Sequence, residues 1–176
     1  MSRREQIKMS KAEAVSFLGE ERTVTCATMG PRGWPHLMPL WYVLRKPGPP
    51  DPSGPPEGAG PSLRIWAWTY ASSQKVRNIE RDARATLQVE AGEQYQELRG
   101  VMLECDVVVH RDIETVGALG HEIFLRYASP RGEPSVEELP REVGAMVQAQ
   151  AAKRVALEFV EQRCATWDHR KLAGVY

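Results

Sequence analysis

Between Leu98 and His110 the chain alternates with a period of two. Val101, Leu103, Cys105, Val107 and Val109 interleave with Gly100, Met102, Glu104, Asp106 and Val108. Successive side chains of an extended chain point to opposite faces, so an alternation of this length specifies a half-buried β-strand rather than a helix.

The segments around it read in the same way. Ser10-Lys11-Ala12-Glu13 is a capping box that opens a helix through Phe17-Leu18 to Gly19. Arg22 to Met29 is a strand, Gly30-Pro31-Arg32-Gly33 a turn, and Trp34 to Leu44 a second strand, which together make a hairpin. Pro35 and Pro39 lack an N–H, so pairing should lapse along the second strand. Residues 46–61, KPGPPDPSGPPEGAGP, read as a long mobile loop, either a hairpin tip or a lid over a site. Strands follow at Leu63–Thr69 and Ala83–Glu90, with a short helix from about Ser73 to Arg81 between them. Asp112 caps a helix to about Tyr127, and another ends near Ala152. Val155, Leu157 and Phe159 alternate into a last strand, followed by a polar closing segment with Trp167. The sum is about six strands joined mostly by short links, which predicts antiparallel pairing and a barrel, mainly β with flanking helices (α+β). A doubly wound parallel sheet needs a helix after nearly every strand, and the order of elements excludes it.

At 176 residues the chain reads as a single domain, residues 1–176. A formal net charge of zero gives no footprint for nucleic acid. No apolar run approaches the roughly 20 residues that span a bilayer, and MSRREQIKMS has no apolar core of a signal peptide. Cys26, Cys105 and Cys164 are far apart and odd in number, which reads as buried reduced thiols. The expected location is the cytoplasm.

The stretch WTYASSQKVRN, from Trp68 to Asn78, carries the chemistry. A helix N-terminus exposes unpaired N–H groups and partial positive charge. Hydroxyls of Thr69, Ser72 and Ser73 and the ammonium of Lys75 at that end make a phosphate cradle beside the flat surfaces of an aromatic strand, which suits a nucleotide or a flavin. The same residues also fit an ordinary helix start, with Ser72 as the cap and Lys75 in solvent. Other machinery is absent. There is no GxSxG elbow, Rossmann glycine signature or P-loop. His121-Glu122 fails the HExxH pattern because Leu125 stands at its last position, and the four histidines lack metal-ligand spacing. His110, at a strand end, reads as structural.

In order and spacing, Gly33-x-Pro35-His36-x-x-Pro39-Leu40-Trp41-Tyr42, Thr69-x-x-x-Ser73-x-Lys75-x-x-Asn78-Ile79, Asp82-Ala-Arg84 and Arg99-Gly100 resemble the pyridoxamine 5'-phosphate oxidase-like split β-barrel family over roughly residues 10 to 110. The closing Trp-Asp-His-Arg-Lys-Leu is similar to tails in that group. The resemblance implies a six-stranded antiparallel split barrel and a homodimer with a flavin-type cofactor at its interface. It implies a cofactor set of His36, Pro39, Leu40, Trp41, Trp68, Thr69, Ser73, Gln74, Lys75, Asn78 and Trp167. Thr69, Ser73 and Lys75 would hold the phosphate, the Pro39-Leu40-Trp41 strand would run past the ring, and Trp167 to Lys171 would approach from the partner subunit. The strand and turn look more like the branch that uses the deazaflavin coenzyme F-420 than the branch that uses FMN. Gln74 departs from the Ser-Arg-Lys pattern of true pyridoxamine phosphate oxidases, and the arginine-histidine pair that holds pyridoxal phosphate in them has no clear equivalent. The implied activity is hydride transfer to a small enone- or quinone-like substrate, with FMN-dependent transfer or non-enzymatic flavin or haem binding as alternatives. Tyr42, Tyr70 and His36 are proton-donor candidates by position only, and residues 112–152 would either shape the substrate pocket or extend the dimer interface.

Overall fold

A computed structural model describes residues 2–47, 63–129 and 138–172. Its elements are α1 (Arg3–Gln6), α2 (Lys11–Glu20), β1 (Val24–Met29), β2 (Pro35–Leu40), β3 (Tyr42–Arg45), β4 (Arg64–Tyr70), α3 (Gln74–Arg81), β5 (Arg84–Ala91), β6 (Arg99–His110), α4 (Ile113–Ala128), α5 (Arg141–Ala151) and β7 (Arg154–Asp168). Most of the loop expected at 46–61 falls within 48–62, outside the described residues.

The strands form one antiparallel sheet in the order β2-β1-β5-β6-β7-β4-β3. β2 and β3 are its opposite edges, yet Trp41 alone separates them in sequence. One residue cannot bridge a flat seven-stranded sheet, whose neighbouring strands lie about 4.8 Å apart. The sheet must therefore curl until its edges meet, as in the PNPOx-like split barrel. Seven strands instead of six is a small correction. The single run expected over Trp34–Leu44 passes from β1 to β4 at Trp41, with Leu40 opposite Val24 and Tyr42 opposite Ala67.

The alternation of β6 is realised as read: Val101, Leu103, Cys105 and Val107 are buried inside the barrel, together with Val24, Leu87, Leu157 and Phe159. Phe17 and Leu18 of α2 pack into the same core. The Tyr42 hydroxyl is buried within 2.7 Å of the Leu18 carbonyl oxygen and 3.0 Å of that of Glu21, which fixes the end of α2 to the barrel. A second apolar cluster lies on the other face of β4 and β7, where Trp66, Trp68 and Ala156 meet Val116, Leu119 and Ile123 of α4 and Val147 of α5.

The last strand is longer than its apolar alternation suggests, running to Asp168. A bulge opposite Glu104 and Cys105 breaks the pattern: Cys105 pairs with Glu161 while Glu104 pairs with Arg163. Of the segment read as a polar tail, Trp167 and Asp168 belong to this strand and His169–Leu172 form a 3-10 turn.

Candidate functional site

β4 delivers Thr69 to the inner face and ends at Tyr70. The chain turns through Ala71-Ser72-Ser73 and enters α3, with the Ser73 N–H donating to the Tyr70 carbonyl at 3.1 Å. The cap residue is Ser73, not Ser72, and its side chain makes no capping bond. Its hydroxyl oxygen is buried without a partner. A buried hydroxyl left unmade costs free energy, which a ligand or a water bonded there would recover.

Lys75 is not a solvated lysine. Only 8% of it is exposed, and its ammonium donates to Thr69 Oγ1 at 3.0 Å. No carboxylate pairs with it among the described residues. Burial lowers its pKa from the ordinary lysine value, opposed by a charge interaction with Cys26. Burial also pushes the Cys26 thiol up to about 12, so this thiol is neutral near pH 7 and gives Lys75 no counter-charge. The turn therefore gathers one uncompensated ammonium, one unsatisfied hydroxyl, the Thr69 hydroxyl and the positive end of α3. This donor set fits a phosphate group.

Asn78 lies behind the cradle and is fully buried. Its Nδ2 donates to Thr28 Oγ1 at 3.0 Å, and its Oδ1 accepts from Gln74 Nε2 at 2.8 Å. Asn78 thus braces α3 against β1, and the exposed Gln74 folds back onto it. Thr28 belongs to this site and was not singled out from the sequence. Its signal was a hydroxyl at an inward position of an otherwise apolar alternation, after Val24 and Cys26.

His36 pairs with Thr28 across β1 and β2, and its half-buried ring leaves Nδ1 buried without a partner. Pro39 is exposed, while Leu40 points into the barrel core. Trp41, at the break between β2 and β3, is 52% exposed and stacks on Tyr127 of α4, with ring centroids 4.4 Å apart. Trp68 takes the opposite face of β4 from Thr69, edge-on to Phe124, so its ring lies outside this chain's own cradle. The alternation of β4 requires this separation. Trp167 pairs with Gly100, where a Cβ would fall 2.3 Å from its ring, so only glycine lets the indole lie across the strand. Thr69 pairs with Val155. At about 3.3 Å per residue, Trp167 is some 40 Å farther along β7. Asp168, Arg170 and Lys171 are engaged within their own chain: Arg170 pairs with Asp168, and Lys171 donates to Glu13 Oε2 at 2.8 Å.

Among the donor candidates, Tyr42 is taken by backbone carbonyls, and burial raises its pKa far above the ordinary tyrosine value. Tyr70 is 48% exposed, with the Arg154 guanidinium 4.0 Å from its ring centroid. His110 contacts Glu158 at 3.0 Å and stacks on Trp66, in keeping with a structural role. The described residues contain no group of three or more potential metal ligands and no helix long and apolar enough to cross a membrane.

The chain is similar to the crystal structure of a conserved hypothetical protein from Mycobacterium tuberculosis, with 34% identity and a TM-score of 0.77, covering 100% of this chain and 95% of that one. An F-420 reductase is 19% identical with a TM-score of 0.55, covering 85% of this chain and 93% of its own. The heme storage protein from Vibrio cholerae is 13% identical with a TM-score of 0.57, covering 86% and 89%. The last two likenesses show the fold alone. No curated protein matches the chain. Residues 10–164 match the family described as Pyridoxamine 5'-phosphate oxidase, a span that contains the barrel, the split strand and the cradle. With its relative from Mycobacterium tuberculosis, this match makes the chain a member of the pyridoxamine 5'-phosphate oxidase family of flavin-binding split barrels.

Proposed function

We propose that the protein is an oxidoreductase that binds the deazaflavin coenzyme F-420 and transfers a hydride to a small electrophile of the enone or quinone class. The observation that carries this reading is the buried, uncompensated Lys75 beside the unpartnered Ser73 hydroxyl. Thr69, Ser73 and Lys75 hold the phosphate in it, and Asn78 and Thr28 keep α3 in place behind them. When bound and reduced, the coenzyme supplies a hydride from carbon 5 of its ring.

The choice of F-420 over FMN rests on charge. FMN is a phosphate monoester carrying nearly two negative charges at pH 7, since its second ionisation lies near pH 6. The phosphodiester of F-420 carries one. Gln74 is neutral and turned onto Asn78, and Arg77 is exposed, so Lys75 is the one buried cationic side chain in the first turn of α3. One ammonium matches one charge.

The reading includes a homodimer with the site at its interface. The β1–β2 hairpin exposes Met29, Trp34 and Leu37. A cavity of about 530 Å³ beside it is lined in part by Ala27, Thr28, Met29, Pro35, Thr86 and Glu104, and so reaches Thr28 but none of Thr69, Ser73 and Lys75. A partner packed there would cover this apolar surface. It would also bring a second copy's Trp167 within reach of the cradle, which the first copy's own Trp167 does not approach. His36, with an unpartnered ring nitrogen next to Thr28, is the proton donor this reading favours.

Titration of the purified protein with F-420 and with FMN, each followed by its own fluorescence, tests the reading. Saturable quenching of F-420 alone is the expected result. Binding of FMN alone reverses the choice of cofactor, and binding of neither removes the oxidoreductase reading.

A further inference from the structure

Arg154 opens β7 directly opposite Tyr70. Its guanidinium carbon lies 4.0 Å from the Tyr70 ring centroid and 4.3 Å from that of Trp68. Other half-buried arginines of the described residues have oxygen partners: Arg45 with Glu122, Arg64 with Glu158, Arg99 with Glu20, and Arg126 with carbonyls of Tyr42, Leu18 and Glu21. The Arg154 side chain makes no hydrogen bond or ion pair among the described residues. Its Nε is buried without a partner, whereas its two terminal nitrogens are not among the buried unpartnered atoms. Trp68 Nε1 and Gln150 Oε1 are likewise buried and unpartnered. The two rings attract the cation and fix its plane, but they do not neutralise it. A flat guanidinium with its inner edge sealed and its fork open is the donor geometry that takes a carboxylate in two parallel bonds.

Its place in the fold ties it to the cradle. Thr69 and Tyr70 are consecutive on β4 and opposite Val155 and Arg154 on β7, so the Thr69 hydroxyl held by Lys75 and the Tyr70 ring under Arg154 take opposite faces of one strand end. The connecting turn is short and held by the Ser73 N–H on the Tyr70 carbonyl and the Ala71 N–H on the Lys153 carbonyl. A ligand with its phosphate on the Lys75 side and an acidic extension can arch over this turn.

We propose that Arg154, clamped between Trp68 and Tyr70, is an anion site that binds a carboxylate of the ligand whose phosphate occupies the Thr69–Ser73–Lys75 cradle. The inference rests on the proposed F-420 reading and deepens it. F-420 carries carboxylates beyond its phosphate, and FMN carries none.

Equilibrium binding to Arg154→Leu tests it, with two probes: F-420, and its chromophore lacking both phosphate and carboxylates. The expected result is a loss of F-420 affinity of tenfold or more, only partly restored in Arg154→Lys, which keeps the charge but not the fork, with binding of the bare chromophore unchanged. Unchanged F-420 affinity in a folded Arg154→Leu overturns the proposal and leaves the cofactor reading standing. If Arg154→Leu does not fold, Tyr70→Leu frees the guanidinium from one ring, and a threefold or greater loss is expected where unchanged affinity overturns the site. Absence of F-420 binding in the wild type defeats the cofactor reading instead. In that case citrate, followed by tryptophan fluorescence because Trp68 underlies the guanidinium, decides the site: a saturable response in the wild type that is lost in Arg154→Leu upholds it, and no response in the wild type overturns it.

Discussion

Ser10 and Ser73 occupy the cap positions of α2 and α3 with nearly the same backbone, φ −66°, ψ 165° and φ −69°, ψ 153°. At α2 every local demand is met. The Ser10 hydroxyl accepts from the Glu13 N–H at 3.3 Å, the Glu13 carboxylate accepts from the Ser10 N–H at 2.6 Å, and Lys171 adds a bond to the same carboxylate. At α3, among the described residues, the hydroxyl has no partner, valine stands where α2 has its glutamate, and a lysine is buried nearby without a counter-ion. Equal backbone with opposite satisfaction separates a helix start that stabilises the fold from one that is left for a ligand.

The comparison breaks most severely if removing both cradle groups changes nothing. Lys75→Ala combined with Ser73→Ala is expected to lower coenzyme affinity by about 2 kcal/mol or more, the scale of charge-assisted hydrogen bonds. Unchanged binding in a fluorescence titration would reduce α3 to an ordinary helix. Ser10→Ala should do the reverse, lowering stability by about 1 kcal/mol in chemical denaturation while binding stays as it was.

The two helix starts should also respond to pH in different windows, each gaining stability as pH rises. Hydrogen bonds from Lys171 and Ser10 hold the Glu13 carboxyl at about 2, below its ordinary 4.5. The stability it contributes is complete above pH 4.5 and is lost as pH falls toward 2, and Glu13→Gln should flatten that acid limb. Lys75 is depressed by burial, so the unfolded chain holds its proton more tightly than the folded one. Stability should rise with pH from the folded pKa up to the unfolded value of 10.5. Lys75→Met should remove this alkaline rise and raise Tm near neutral pH while weakening coenzyme binding. A fall in Tm would mean that the bond to Thr69 outweighs the burial of the charge. The smallest effect is expected for Ser73→Ala on stability alone, within about 0.5 kcal/mol, because no capping bond is lost.

Much of this was readable along the chain. The alternation of β6, the capping box of α2 and the cap at Asp112 are local patterns that appear in the fold; the proline-bearing strand lies at a sheet edge, stays paired with β1 from Pro35 to Leu40, and lapses only at Trp41. The cradle was readable as a set of residue types. Its meaning was not, because Ser72 and Ser73 are equally good caps by composition, and nothing local distinguishes a solvated lysine at position 75 from a buried one. The grouping of Trp68 with Thr69 came from sequence adjacency, which in a strand places two side chains on opposite faces. Arg154 gave no signal, since its aromatic partners lie more than 80 residues earlier and meet it only through the pairing of β4 with β7.

The sequence by itself determined which segments are strands and helices, where the helices begin, and the family to which the chain belongs. These follow from side-chain period, cap chemistry and ordered short motifs, all of which act between near neighbours. Tertiary structure decided which face of β4 α4 and α5 cover, that the two sheet edges meet at Trp41, and that Lys75 and Arg154 are held near one turn without carboxylate partners among the described residues. Register and closure are set by hydrogen bonds between strands remote in sequence, and burial by what then packs across them, so neither leaves a local trace in the residues it governs.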